Sequence, residues 1–108
     1  MMETKAVIAA LAALAQDTRL AIFRLLVQAG SEGLAAGQVA DRLGIAPSSL
    51  SFHMKELSHS GLVKSRQESR YVIYSVNYTA MDSLMAYLTE NCCDLDCTAV
   101  LVAKAACA

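Results

Sequence analysis

The chain has no tryptophan, one proline and only five glycines in 108 residues. So few chain breakers leave no flexible linker, internal repeat or low-complexity segment, and the length fits one domain. Charge is also scarce, with a net value of −1. That excludes a broadly basic surface, so any nucleic-acid-binding face must be a local patch. No uncharged stretch approaches the roughly 18–20 residues of a membrane-spanning helix. The apolar run Ala6–Leu14 behind Lys5, closed by Ala13-Leu14-Ala15, imitates a signal peptide. Glu3 spoils its positive start, and the next segment continues as an apolar helix. The two histidines, His53 and His59, are far from every cysteine in sequence, and the segment from Glu90 to Cys97 has no glycine. A thiol enzyme would need an activating imidazole or a phosphate-cradling loop there. The chain is therefore expected not to be an enzyme.

Apolar residues are what the sequence has in excess. They make up 56% of it, above the roughly 45–50% usual for globular domains. A surplus in so short a chain points to a surface covered by a second copy. Charge divides unevenly too. Residues 1–81 hold eight of the nine Lys/Arg and six of the ten Asp/Glu, whereas residues 82–108 hold Lys104 against Asp82, Glu90, Asp94 and Asp96. Three of the four cysteines crowd between Cys92 and Cys97. That is a poor framework for stapling a secreted domain and fits a reducing cytoplasm better. The expected organisation is a folded domain over residues 1–91 and a cysteine-bearing tail over 92–108.

Periodicity predicts five helices and a hairpin, a mostly α fold. Thr4 to Ala15 forms the first helix, with Val7, Leu11 and Leu14 on one stripe and Ile8 beside it. Asp17 is positioned to cap a second helix, Thr18 to Ala29, which Gly30 ends. Ser31-Glu32-Gly33 reads as a loop. Ala35 to Leu43 is a short third helix stopped by Gly44, and Pro47 opens a fourth that runs to about Ser60. Leu62–Gln67 and Arg70–Val76 alternate and are rich in β-formers, so Glu68-Ser69 becomes a hairpin turn. Thr79-Ala80-Met81-Asp82 resembles a capping box for the last helix, whose stripe is Met81, Leu84, Met85 and Leu88.

Two short helices joined through Leu43-Gly44-Ile45-Ala46, then a hairpin, give the order of a winged helix-turn-helix. On the fourth helix Leu50, Met54 and Leu57 share the core face. The opposite face offers Ser48, Phe52, Lys55 and His59, with Ser49 and Ser51 near it. Small hydroxyls allow close approach to phosphates and base edges in a major groove. Phe52 either meets a thymine methyl or packs on a neighbouring loop. His53 either packs between helices or contacts the DNA backbone. Lys64, Arg66 and Arg70 flank the hairpin tip and suit phosphate contacts or a minor-groove reach. Glu68 opposes them.

Leu14-Ala15-Gln16-Asp17-Thr18-Arg19-Leu20, Ser48-Ser49-Leu50-Ser51-Phe52-His53-Met54, and Gly61-Leu62-Val63 followed by Arg70-Tyr71 and Tyr74 together resemble the ArsR/SmtB metalloregulatory repressors. The resemblance covers most of the chain to about Leu88. It implies a homodimer built from the first and last helices, here through Val7, Leu11, Leu14, Met81, Leu84, Met85 and Leu88. It also implies a double-stranded, palindromic operator and repression of a resistance operon, relieved by an ion. Two departures narrow the ion site. The third helix has Ala35-Ala36-Gly37-Gln38-Val39 where many members carry Cys-x-Cys, and Asp82 lacks the histidine partners of the zinc-sensing members.

The remaining candidate ligands are Cys92, Cys93 and Cys97, an arrangement that resembles the arsenic-responsive branch with thiols after the last helix. Thiolates are soft ligands and select soft ions. As(III) and Sb(III) take three sulfurs. Zinc prefers four ligands, the fourth here being Cys107, Asp94 or Asp96. In an unbroken helix Cys93 and Cys97 share a face and Cys92 lies about 100° away, so one ion gathers all three only if the helix turns or frays. Cys107, in an apolar Ala-rich tail, is more simply an incidental terminal thiol. Two alternatives are a redox-sensing repressor pairing Cys93 with Cys97 or Cys107, and a sensor or structural site for cadmium, zinc or mercury.

Overall fold

The structure is a computed structural model that describes residues 3–90. Its elements are α1 (Thr4–Leu14), α2 (Asp17–Ala29), a 3₁₀ turn (Gly30–Glu32), β1 (Leu34–Ala35), α3 (Ala36–Leu43), α4 (Pro47–His59), β2 (Val63–Glu68), β3 (Tyr71–Val76) and α5 (Tyr78–Leu88). The winged helix-turn-helix order expected from the sequence is present. The sheet has three antiparallel strands in the order β1-β3-β2, one more than the hairpin alone.

The first helix turns its small residues inward. Val7, Ala10 and Ala13 are buried, and Ile8 and Leu11 face out. Alanines at i+3 and i+6 let neighbouring helices approach closely. In α2 the core side is Ile22, Phe23 and Leu26, and Leu20 and Val27 are exposed. The cap of α2 differs from expectation. Gln16, not Asp17, occupies the N-cap, and its Oε1 accepts from the Arg19 amide at 2.8 Å. Asp17 is the first helical residue and accepts from the adjacent Thr18 amide.

Between α2 and α3 the chain makes a 3₁₀ turn and then β1, where a plain loop was expected. Leu34 pairs with Tyr74 and Ala35 with Ile73. Gly33, at φ 73°, comes so close to the Tyr74 carbonyl that a Cβ there would collide with it. The helix-turn-helix turn follows from α3's end. Gly44 is left-handed, its amide reaches the Asp41 carbonyl, and the Ile45 amide reaches Ala40. This is the Schellman pattern, with Ile45 tucked against the core. Pro47 then starts α4, and Leu50, Met54 and Leu57 are buried.

The hairpin turn is Ser69-Arg70, one residue later than expected. Glu68 pairs with Tyr71, and Ser69 takes a φ of 61°. Asn77 fixes the wing's far end. Its amide donates to the Leu62 carbonyl at 2.8 Å, and its Nδ2 donates to Gly61 at 3.1 Å. Its Oδ1 accepts from Ala80, so Asn77, and not Thr79, caps α5. The end of α4, the wing and α5 are thus tied at one residue. Among the described residues no helix is long and apolar enough to cross a membrane.

Candidate nucleic-acid interface

Two faces of α4 divide the work. Inward, Leu50, Met54 and Leu57 anchor it against the rest of the core. Outward, Ser48, Ser49, Ser51, Phe52 and Lys55 are all exposed. Phe52 leaves 57% of its surface uncovered. Its one aromatic neighbour is His53, edge-on with ring centroids 5.5 Å apart. Phe52 therefore does not pack into a loop, and an exposed aromatic among small hydroxyls is free to meet a base edge. Lys55 extends from the same side, and no ion pair engages it among the described residues.

His53 is half-buried, and its Nδ1 lies 3.3 Å from an Arg19 guanidinium nitrogen. The same arginine donates its Nε to the Ala13 carbonyl at 2.7 Å. Of the two sequence readings, this placement favours packing between helices. Arg19 joins the end of α1, the start of α2 and the middle of α4, a role nothing in its sequence neighbourhood announces. His59 is exposed near α4's end.

The wing divides its cations. Arg66 donates its Nε to Glu68 at 2.7 Å, and its other guanidinium end donates to the Glu32 carbonyl at 2.8 Å. It staples the wing to the 3₁₀ turn, and Glu68, which the sequence suggested would merely repel phosphate, is its counter-charge. Arg70, in the turn, and Lys64 are exposed without such partners among the described residues. They are the wing cations that no ion pair engages among the described residues.

The expected dimer residues fall into two groups. Val7 and Leu84 are buried in the core of their own subunit and cannot reach a second copy. A stripe at helical spacing shows which residues share a side, not which neighbour covers it. Leu14 and Met81 are half-buried and also pack on that core. Leu11, Met85 and Leu88 are exposed, as is Ile8, which sits one position off the expected stripe. Thr4 and Tyr87 join α1 to α5 by a 2.7 Å hydroxyl hydrogen bond, so the two helices belong to one surface. Cys92, Cys93, Cys97 and Cys107 lie outside the described residues.

A helix-turn-helix domain family matches residues 14–66, from the end of α1 into β2. The transcriptional activator HlyU of Vibrio cholerae is 33% identical over 83 residues, 77% of this chain and 74% of that protein. An ArsR-like transcriptional regulator from Rhodococcus superposes with a TM-score of 0.69 at 25% identity, covering 78% of this chain and 76% of that one. The homodimeric winged helix-turn-helix DNA-binding domain of Mb0332 from Mycobacterium bovis, described as a possible ArsR-family regulator, superposes with a TM-score of 0.66 at 26% identity, covering 79% and 77%. With α4 presenting hydroxyls, Phe52 and Lys55 beside a wing, the chain belongs to the ArsR-type family of winged helix-turn-helix transcriptional regulators.

Proposed function

We propose that two copies pair through the outer faces of α1 and α5 and carry two α4 helices to a palindromic operator, repressing a metalloid-resistance operon until As(III) or Sb(III) binds Cys92, Cys93 and Cys97. The observation that carries the sensing part is position. The seam helix α5 ends at Leu88, and the cysteine triplet begins four residues later. Three closely spaced thiols match the coordination demand of a trivalent metalloid, and soft donors favour a soft ion. Binding that gathers all three rearranges the chain next to the seam and so alters the spacing of the two α4 helices. Typical allosteric couplings of about 1–3 kcal/mol change affinity by roughly 5–150-fold. That range covers partial to strong release. Pairing is supported by the exposed apolar residues Ile8, Leu11, Met85 and Leu88 and by the homodimeric likeness of Mb0332.

The test is an arsenite titration of the full chain on a labelled duplex that it has selected from a random pool, followed by fluorescence anisotropy. Wild type releases the duplex. Cys92→Ser, Cys93→Ser and Cys97→Ser each bind DNA as wild type does without arsenite, and at least one needs more than about tenfold more arsenite for release. If all three release at the wild-type concentration, the cysteines are not the sensor. Release by peroxide and not by arsenite would replace the metalloid with a thiol redox signal.

A further inference from the structure

The base of the wing faces two elements that arrive from other parts of the chain. Arg66 reaches the Glu32 carbonyl of the 3₁₀ turn. On the other side Tyr78 opens α5, and its hydroxyl donates to the Val27 carbonyl at 3.3 Å. Between them lies a cavity of ≈ 280 Å³ whose lining includes Ser31, Lys64, Arg66, Ser75 and Tyr78. The strand register accounts for much of that lining. Lys64 pairs with Ser75, so the two project from the same face of the sheet, and Arg66, two residues on, follows them.

Three features set the chemistry of this cavity. First, no carboxylate is among the described residues that line it, whereas clefts elsewhere include Glu56 and Asp17. Second, Lys64 has no acidic partner among the described residues, and Arg66 uses only part of its donor fork on Glu68 and Glu32. Third, Ser75 is only 3% exposed, yet its hydroxyl enters none of the hydrogen bonds found among the described residues; it lines the cavity instead. The start of α5 adds to the same field. Asn77 satisfies the Ala80 amide, and the amides of Tyr78 and Thr79 have no acceptor within the helix.

We propose that this cleft, formed by the wing base, the 3₁₀ turn and the start of α5, binds a small oxyanion of phosphate size through Lys64, Arg66 and the Ser75 hydroxyl. Its described lining includes no cysteine and no residue of α4, so the proposal does not rest on the metalloid reading. One chemistry serves two sources: a free phosphate-like anion or a phosphate of the DNA backbone. Both arms use the ¹⁵N-labelled full chain at constant ionic strength set with chloride, titrated with inorganic phosphate or with a duplex it binds. A free anion gives saturable phosphate-induced shifts at the amides of Ser31, Ser75 and Tyr78, weakened at least tenfold by Ser75→Ala and by Lys64→Gln. A backbone phosphate leaves those amides still with inorganic phosphate and moves them with duplex, and the same two variants weaken duplex binding. Lys5→Gln, remote from the wing, changes neither. The proposal is overturned if neither titrant moves these amides, or if both variants bind both titrants as wild type does.

Discussion

The outer face of α4 and the outer faces of α1 and α5 are equally open to solvent and opposite in chemistry. On α4 the exposed positions are serines, together with Pro47, Phe52, Lys55, Glu56 and His59. On α1 and α5 they are Ile8, Leu11, Met85 and Leu88, exposed by 61%, 41%, 53% and 51%. A short chain that leaves that much aliphatic surface in water is built to cover it with protein. A helix that leaves hydroxyls and a cation in water is built to meet something polar and anionic. Exposure alone says nothing about function here; in the proposed reading, the kind of side chain exposed separates a face for DNA from a face for a second copy.

The buried side of α4 sets the largest effect. Leu57 is fully enclosed, and Leu57→Ala should lower unfolding stability by about 2–5 kcal/mol, measured by urea denaturation. A loss comparable to that of an exposed substitution would mean that α4 does not rest on this core. Next comes the apolar face. Met85→Glu combined with Leu88→Glu should leave a folded monomer and weaken operator binding by roughly 100-fold or more, since the second half-site no longer binds in the same event. Light scattering and anisotropy read the two parts. An undiminished dimer would remove α5 from the seam.

Smaller effects divide the face for DNA. Phe52→Ala should relax discrimination at one base pair, worth about 1–3 kcal/mol. Lys55→Ala should instead weaken all sequences alike and flatten the salt dependence by about 0.9 in log–log slope. Equal, sequence-independent losses would deny Phe52 any base-reading part. The smallest change is Ser69→Gly. It relieves a positive φ at the wing turn and should raise stability by less than about 1 kcal/mol, leaving DNA specificity untouched. A lower melting temperature would contradict that turn geometry.

Much of this was legible in the residues. The order of elements followed from periodicity and from Gly30, Gly44, Pro47 and Gly61, each at an element boundary. The core face of α4 followed from spacing alone. The caps of α2 and α5 did not, because Gln16 stands beside the more conventional Asp17, and Asn77 competes with a capping-box spacing at Thr79, so only the backbone decides which oxygen meets an orphan amide. β1 is two residues long, too short for alternation to register. The wing's Arg66 read as an unengaged cation because the Glu32 carbonyl it grips is 34 residues away. Val7 and Leu84 read as seam residues because a stripe gives a direction and not a neighbour. The cysteine reading rests on composition and spacing, and Cys92, Cys93 and Cys97 fall outside the described residues.

The separation of the two faces is tested most directly by hydroxyl-radical footprinting of a selected duplex, with the protein-to-DNA stoichiometry measured on the same sample. The account predicts two chains per duplex and two protected tracts centred about 34 Å apart, or a multiple of one helical turn, both lost together when Met85 and Leu88 become glutamate. One chain protecting a single tract at full affinity, unchanged by those substitutions, would contradict it.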